Sequence, residues 1–118
     1  MTTPFTELAS LDRLVHDPTR LAILTALSAC ESADFLYLQR ITGLTKGNLS
    51  AHVSKLEDAG WVVVEKRFVG KRSNTLISLS GAGRMAVDEH WSRLEALREQ
   101  SRSWLPDRLE PDPAFSTV

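Results

Sequence analysis

The apolar positions of this chain fall into blocks whose spacing changes from helical to strand-like and back. Leu8, Leu11, Leu14 and Val15 recur three or four residues apart, which predicts a helix within Thr6 to Val15. Asp17 followed by Pro18 reads as an N-cap and a first helical position, where the missing N–H of proline costs nothing. The helix that follows turns Leu21, Ile23, Leu24 and Leu27 toward a core and is expected to end near Cys30. Asp34 caps a third, short helix carrying Phe35, Leu36, Leu38 and Ile41, and Gly43 suits its left-handed end. Thr45 caps a fourth helix with Lys46, Gly47 and Asn48 in its first turn; it is expected to run to about Ala59 and stop at Gly60.

From Trp61 the period shortens. Trp61 to Phe68 is rich in Val and aromatic residues and reads as a strand, residues 69–74 read as a polar turn, and Thr75 to Leu79 alternates as a returning strand. Lys71 and Arg72 fall at the tip of this hairpin. Beyond Ser80-Gly81-Ala82-Gly83 a last helix is predicted over about 83–104, with Met85, Val87, Trp91, Leu94, Leu97 and Trp104 among its apolar positions. Pro106, Pro111 and Pro113 interrupt an acidic remainder, which predicts a flexible tail over 105–118. Two helices joined by a short glycine-containing turn, then a hairpin, then a long helix make a mainly α chain of α+β class. The architecture expected is a winged helix-turn-helix with a C-terminal dimerisation helix. One domain is expected over 1–104, with the helix-turn-helix at about 34–60 and the wing at about 61–79.

Composition adds little except through its distribution. With 118 residues, 42% hydrophobic and 25% charged, the chain fits one soluble domain. A single cysteine, Cys30, rules out an internal disulfide. No apolar run is long enough to span a bilayer, and the opening Met-Thr-Thr-Pro-Phe does not read as a secretory signal, so no membrane partner and a cytoplasmic location are expected. The net charge is −1, yet residues 40–72 hold seven basic and three acidic side chains, while the segments on either side are net acidic. A local cationic surface matters more for phosphate binding than the total does.

The segment His16-Asp17-Pro18-Thr19-Arg20-Leu21-Ala22-Ile23-Leu24 resembles the opening helix of ArsR-type repressors. The longer run from Leu44 to Val62, with its Leu-Ser-Ala-His-Val-Ser-Lys-Leu-Glu-Asp-Ala-Gly-Trp-Val core, resembles the recognition helix of ArsR- and MarR-type regulators. The chain is most similar to short, single-domain winged-helix regulators related to the MarR type, over roughly Leu11 to Leu79. The resemblance implies a sequence-specific double-stranded DNA-binding transcriptional regulator.

The helical wheel supports that expectation from the residues alone. Leu49, Val53 and Leu56 share one face of the fourth helix, and Gly47, Ala51, Ser54 and Asp58 the opposite one. Asn48 and Lys55 flank that outer face on one side and Ser50 on the other. Small hydrogen-bonding side chains let a helix sink into a major groove about 12 Å wide. The candidate DNA contacts are therefore Thr45, Lys46, Gly47, Asn48, Ser50, Ala51, Ser54 and Lys55, with Lys71 and Arg72 on the flanking backbone or minor groove. Asn48 has the donors and acceptors to read an adenine edge, and Thr45 would aim helix N–H groups at a phosphate. His52 lies nearer the inner face, which makes it a packed histidine bonded to a neighbouring helix. Alternation puts Lys66 and Arg67 on opposite faces of the hairpin, so at most one of them faces DNA.

A homodimer reading a two-fold symmetric operator suits such a domain. Its candidate interface is Leu8, Leu11, Val15, Trp91, Leu94, Leu97 and Trp104; the same residues packing back on their own chain is the plainer alternative. A small apolar effector beside the tryptophans stays open. No cysteine pair or histidine spacing suggests a metal, no glycine-rich phosphate loop or catalytic constellation stands out, and neither cofactor nor enzymatic activity is expected. The competing reading is a winged-helix protein–protein interaction module that never touches DNA. Such a module would expose apolar anchors on the outer face of the fourth helix, where this chain has Gly, Ala, Ser, Asn and Lys.

Overall fold

Side-chain caps start every helix. In the computed structural model, which describes residues 2–104, α1 (Pro4–Ala9) opens with Thr3 and Thr6 in a reciprocal capping box. Asp17 caps α2 (Pro18–Ser28), its carboxylate accepting from Arg20 N–H at 3.0 Å. Asp34 caps α3 (Phe35–Thr42) by accepting from Tyr37 N–H at 2.7 Å, and Thr45 caps α4 (Lys46–Asp58) by accepting from Asn48 N–H at 3.2 Å. Gly43 ends α3 at φ 71°, a left-handed geometry that turns the chain into α4 within three residues. These junctions agree with the sequence pattern.

The N-terminal helix does not. It ends at Ala9 rather than continuing to Val15. Asp12 accepts from Leu14 N–H at 2.9 Å, a local turn that competes with the helix. The carbonyls of Leu14 and Arg13 accept instead from the Arg20 guanidinium, at 2.7 and 3.1 Å. Leu11 and Val15 are buried, but as loop residues.

The sheet has three antiparallel strands in the order β1-β3-β2: β1 (Ala33–Asp34), β2 (Val62–Val69) and β3 (Arg72–Leu79). Two features depart from the expected hairpin. A two-residue strand precedes α3 and pairs Ala33 with Ile77. The turn is also shorter than residues 69–74: Val69 pairs with Arg72, leaving only Gly70 and Lys71 unpaired. Gly70 at φ 65° supplies the left-handed conformation that a two-residue hairpin turn needs. Strand pairing therefore extends to the tip, and Ser73 and Asn74 belong to β3.

The core is formed by Val15, Ile23, Leu24 and Leu27 against Leu38, Leu49, Val53 and Leu56, closed by Val62, Ile77 and Val87. The last helix, α5 (Gly81–Arg102), starts and stops two residues earlier than the apolar pattern implied. The early start is set by Ser80, whose hydroxyl accepts from Gly83 N–H at 3.0 Å and donates to the Gly60 carbonyl at 2.6 Å. Gly83 is pressed so close to Trp61 that a Cβ there would lie 1.9 Å from the Trp61 carbonyl oxygen. The glycine is thus required by packing. Trp104 lies just past the helix end, its ring edge-on to Phe5 at 6.1 Å. Among the described residues, no helix is long and apolar enough to cross a membrane. The expected tail over 105–118 lies outside the described residues.

Candidate nucleic-acid interface

Burial of Leu49, Val53 and Leu56 fixes how α4 faces its surroundings. Thr45, Lys46, Gly47, Asn48, Ser50, Ala51, Ser54 and Lys55 are all exposed. Gly47, Ala51 and Ser54 keep the middle of that surface free of bulk, with Asn48 and Lys55 along one border and Lys46 and Ser50 along the other. Thr45 accepts from Asn48 N–H in the first turn of its own helix, and residues 45–48 at the α4 N-terminus are exposed.

His52 is half-buried, and its Nδ1 lies 3.3 Å from Arg20 Nη1. A guanidinium only donates, so Nδ1 accepts and the imidazole proton sits on Nε2. The histidine therefore ties α4 to α2, the structural role its helical angle implied. Arg20 is the hub of this corner. It holds the Arg13 and Leu14 carbonyls, meets His52, and pairs with Asp17 at 3.7 Å. The Arg20 backbone N–H, with help from its guanidinium charge, holds the Asp17 carboxyl below its ordinary value.

The second wall of the surface is the hairpin. A groove of about 500 Å³ runs between α4 and the sheet, with Lys46, Ser50, Ser54 and Glu57 on one side and Lys66, Ser73, Asn74 and Thr75 on the other. Its floor is Val53, Val64 and Ile77, and Phe35 and Leu36 of α3 close one end. Register decides which hairpin cation faces inward. Lys66 is in step with Val64, on the strand face that looks into the groove, whereas Arg67 is on the reverse. Lys71 and Arg72 are exposed at the tip. The sequence pattern did not single out Ser73, Thr75 or the choice of Lys66. The signal was Gly70: a two-residue turn centred there sets the register and hence the inward face.

The proposed interface residues at the other end divide. Leu11, Val15 and Leu97 are buried within the chain, Leu8 and Leu94 are half-buried, and Trp91 and Trp104 are 41% and 38% exposed. Trp91 Nε1 donates to Thr25 Oγ1 at 3.0 Å and borders a shallow apolar groove of about 380 Å³ with Pro18, Leu21, Ala22 and Ala26 of α2. One residue earlier, His90 is buried with its Nε2 3.2 Å from His16 Nδ1. Burial first, and then the neighbouring His16, push the His90 pKa below its ordinary value. Cys30 is half-buried, its Sγ directed at the Ala26 carbonyl. Among the described residues, no three His, Cys, Asp or Glu side chains are grouped to hold a metal ion.

This geometry has known counterparts. A family model described as the winged helix DNA-binding domain matches residues 19–98. An uncharacterized protein of Methanocaldococcus jannaschii is 35% identical over 78 residues, which span 66% of this chain and 85% of that protein. The transcriptional regulator homologue from Pyrococcus horikoshii OT3 superposes with a TM-score of 0.75 at 26% identity, over 86% of this chain and 98% of that one. A MarR-family transcriptional regulator from Silicibacter pomeroyi shares the fold at a TM-score of 0.61 and 21% identity, over 87% of this chain and 67% of that one. With helix-turn-helix, wing and long last helix all in place, the chain belongs to the winged helix DNA-binding domain family.

Proposed function

We propose that this protein is a homodimeric transcriptional regulator that reads a two-fold symmetric duplex site. The α4 helix enters the major groove, and the wing tip reaches the flanking backbone and minor groove. The observation that carries this reading is the outer face of α4. It is built from Gly47, Ala51 and Ser54, flanked by Asn48 and Lys55 on one side and Ser50 on the other, and it borders a groove whose far wall carries Lys66, with Lys71 and Arg72 at the hairpin tip. Asn48 and Lys55 read bases or phosphates; Lys46, Ser50 and Ser54 hold the backbone where the groove opens.

Dimerisation rests on α5 with α1. Trp91 and Trp104 leave apolar surface uncovered, and two α4 helices set about 34 Å apart match successive major grooves on one side of a duplex. The groove beside Trp91 is where a small apolar effector would bear on both α2 and α5. Regulation of this kind belongs in the cytoplasm.

The rival, a protein-interaction module, has one observation in its favour: Leu36, Tyr37 and Ile41 are exposed on α3. A gel shift separates the two, using duplexes selected from a random pool by rounds of binding. The regulator retards them at low salt, and Asn48→Ala with Lys55→Ala weakens binding by about 30-fold or more. Unchanged binding by the double variant would remove α4 from the interface, and no retardation at low salt would leave the interaction module. Light scattering reading a monomer would remove the dimer.

A further inference from the structure

Phe68 is 76% exposed, more than any other large apolar side chain among the described residues. Its position is not a loose loop. It lies inside β2, paired with Ser73 of β3, one step before the two-residue turn. Ser73 is too small to cover a phenyl ring, and the nearest core pair on that sheet face, Val64 with Ile77, is two rows away. The paired backbone of the hairpin thus presents an aromatic ring to solvent, with no aromatic partner among the described residues.

The setting of the ring narrows what could cover it. Strand alternation puts Phe68 on the same face as Lys66 and Val64, the face that forms the groove opposite Lys46, Ser50 and Ser54. At about 3.4 Å per residue, the ring lies about 7 Å beyond Lys66 along the strand. Residues 66–75 contain four cations, Lys66, Arg67, Lys71 and Arg72, and no acidic residue. The complementary surface must carry negative charge on its rim and offer a flat apolar interior a few ångströms deeper. A duplex minor groove has both features: phosphates line its edges, and base steps can open to an inserted side chain.

We propose that Phe68 is a wedge that enters the minor groove flanking the α4 site and unstacks one base step in each half-site, bending the duplex. This rests on the reading that α4 binds duplex DNA. On that basis Lys66, Lys71 and Arg72 hold the phosphates on either side while the ring acts on the bases between them. The specificity it adds is for easily unstacked pyrimidine–purine steps at a fixed distance from the bases read by α4.

The test uses the full chain and a duplex selected from a random pool, carrying 2-aminopurine at successive flanking positions and a donor–acceptor dye pair at its ends. The wild-type protein is expected to raise 2-aminopurine fluorescence at one flanking step per half-site and to shorten the end-to-end distance. Phe68→Ala abolishes both signals and weakens binding on the order of tenfold, whereas Phe68→Leu, which keeps an apolar wedge, retains part of both. Circular dichroism of the variants should match the wild type, because the exposed ring supports no core packing. Tight binding with no fluorescence change, or with a change that survives Phe68→Ala, overturns the wedge and leaves the DNA reading intact. Failure of the wild type and every variant to retain any duplex overturns both. Binding to anionic vesicles that is abolished in Phe68→Ala, with no change in duplex fluorescence, would overturn the wedge in favour of a membrane contact.

Discussion

The two ends of this molecule handle side chains in opposite ways. At the α4 and wing end, polar and cationic groups are left free: Lys46, Asn48, Ser50, Lys55, Lys71 and Arg72 are exposed, and the backbone beneath them is tied down by caps and by strand pairing. At the α1 and α5 end, several side chains are engaged within the chain. His90 meets His16, Trp91 bonds Thr25, Trp104 meets Phe5, and Arg84 donates to the Ser28 carbonyl at 3.2 Å. The first is the surface proposed to meet DNA, and the second, where Trp91 and Trp104 stay partly exposed, is the junction proposed to set where that surface points. Between them stands Arg20, which binds the Arg13 and Leu14 carbonyls in the loop before α2 and also the ring of His52 on α4.

The largest expected effect removes the distinction between the ends altogether. Gly83→Ala places a methyl group 1.9 Å from the Trp61 carbonyl oxygen, at the point where the root of the wing and the start of α5 are fastened together. Backbone cannot yield as a side-chain tip can, so a destabilisation of about 3 kcal/mol or more is expected. Thermal melting should show a Tm drop of more than about 10 °C. A melting curve matching the wild type would mean that the junction is loose and the ends are not joined as described.

A smaller effect is expected from cutting the link while leaving both ends intact. Arg20→Ala strips two carbonyls and one histidine nitrogen of their donor, which costs about 2 kcal/mol. Because His52 is then without its anchor, duplex affinity should fall as well, although residue 20 lies outside the proposed interface. Reduced stability with unchanged affinity would show that the corner holds the fold together without orienting α4.

The smallest effect is a pH dependence confined to the α5 end. The His90 pKa is lowered from 6.5, so above 6.5 the ring is neutral both folded and unfolded. As pH falls below 6.5 the unfolded chain takes up the proton first, and stability declines until pH reaches the folded-state value. The urea midpoint should therefore drop between about pH 7.5 and 5.5, on either side of the ordinary histidine value, and His90→Gln should flatten that drop. The Asp17 carboxyl, lowered from 3.8, keeps its contribution above 3.8 and forfeits it only at lower pH, so it does not interfere. An equal slope in wild type and His90→Gln would show that the buried histidine does not set the pH response.

How much of this was legible in sequence follows the same division. The α4 end is built from local rules. Asp34 and Thr45 announce helix starts, Gly43 announces the turn, and a period of 3.6 separates Leu49, Val53 and Leu56 from the outer face, so the candidate residues on α4 could be named without coordinates. What depended on distant partners was not legible. The pattern of Leu11, Leu14 and Val15 is helical, but Asp12 caps a local turn at Leu14 and Arg20, from the next helix, holds the Arg13 and Leu14 carbonyls in the loop. The two residues of β1 carry too little pattern to signal pairing with a strand far along the chain. The inward roles of Lys66, Ser73 and Thr75 needed the register, which rests on a tighter turn at Gly70 than the polar run 69–74 suggested. Of the apolar residues assigned to a dimer face, Leu11, Val15 and Leu97 are buried by the chain itself; spacing alone does not distinguish an intramolecular neighbour from an external one.

The central claim is that the α4 and wing surface engages the phosphates of a duplex, and the salt dependence of binding tests it most directly. The affinity of the full-length protein for a selected duplex would be measured across a salt series, alongside Lys46→Ala and Lys66→Ala. The expected result is a linear fall of log affinity with log salt, with each substitution reducing the slope by about 0.9, because one fewer phosphate is neutralised. Binding that is insensitive to salt, or a slope that both variants share with the wild type, would contradict it.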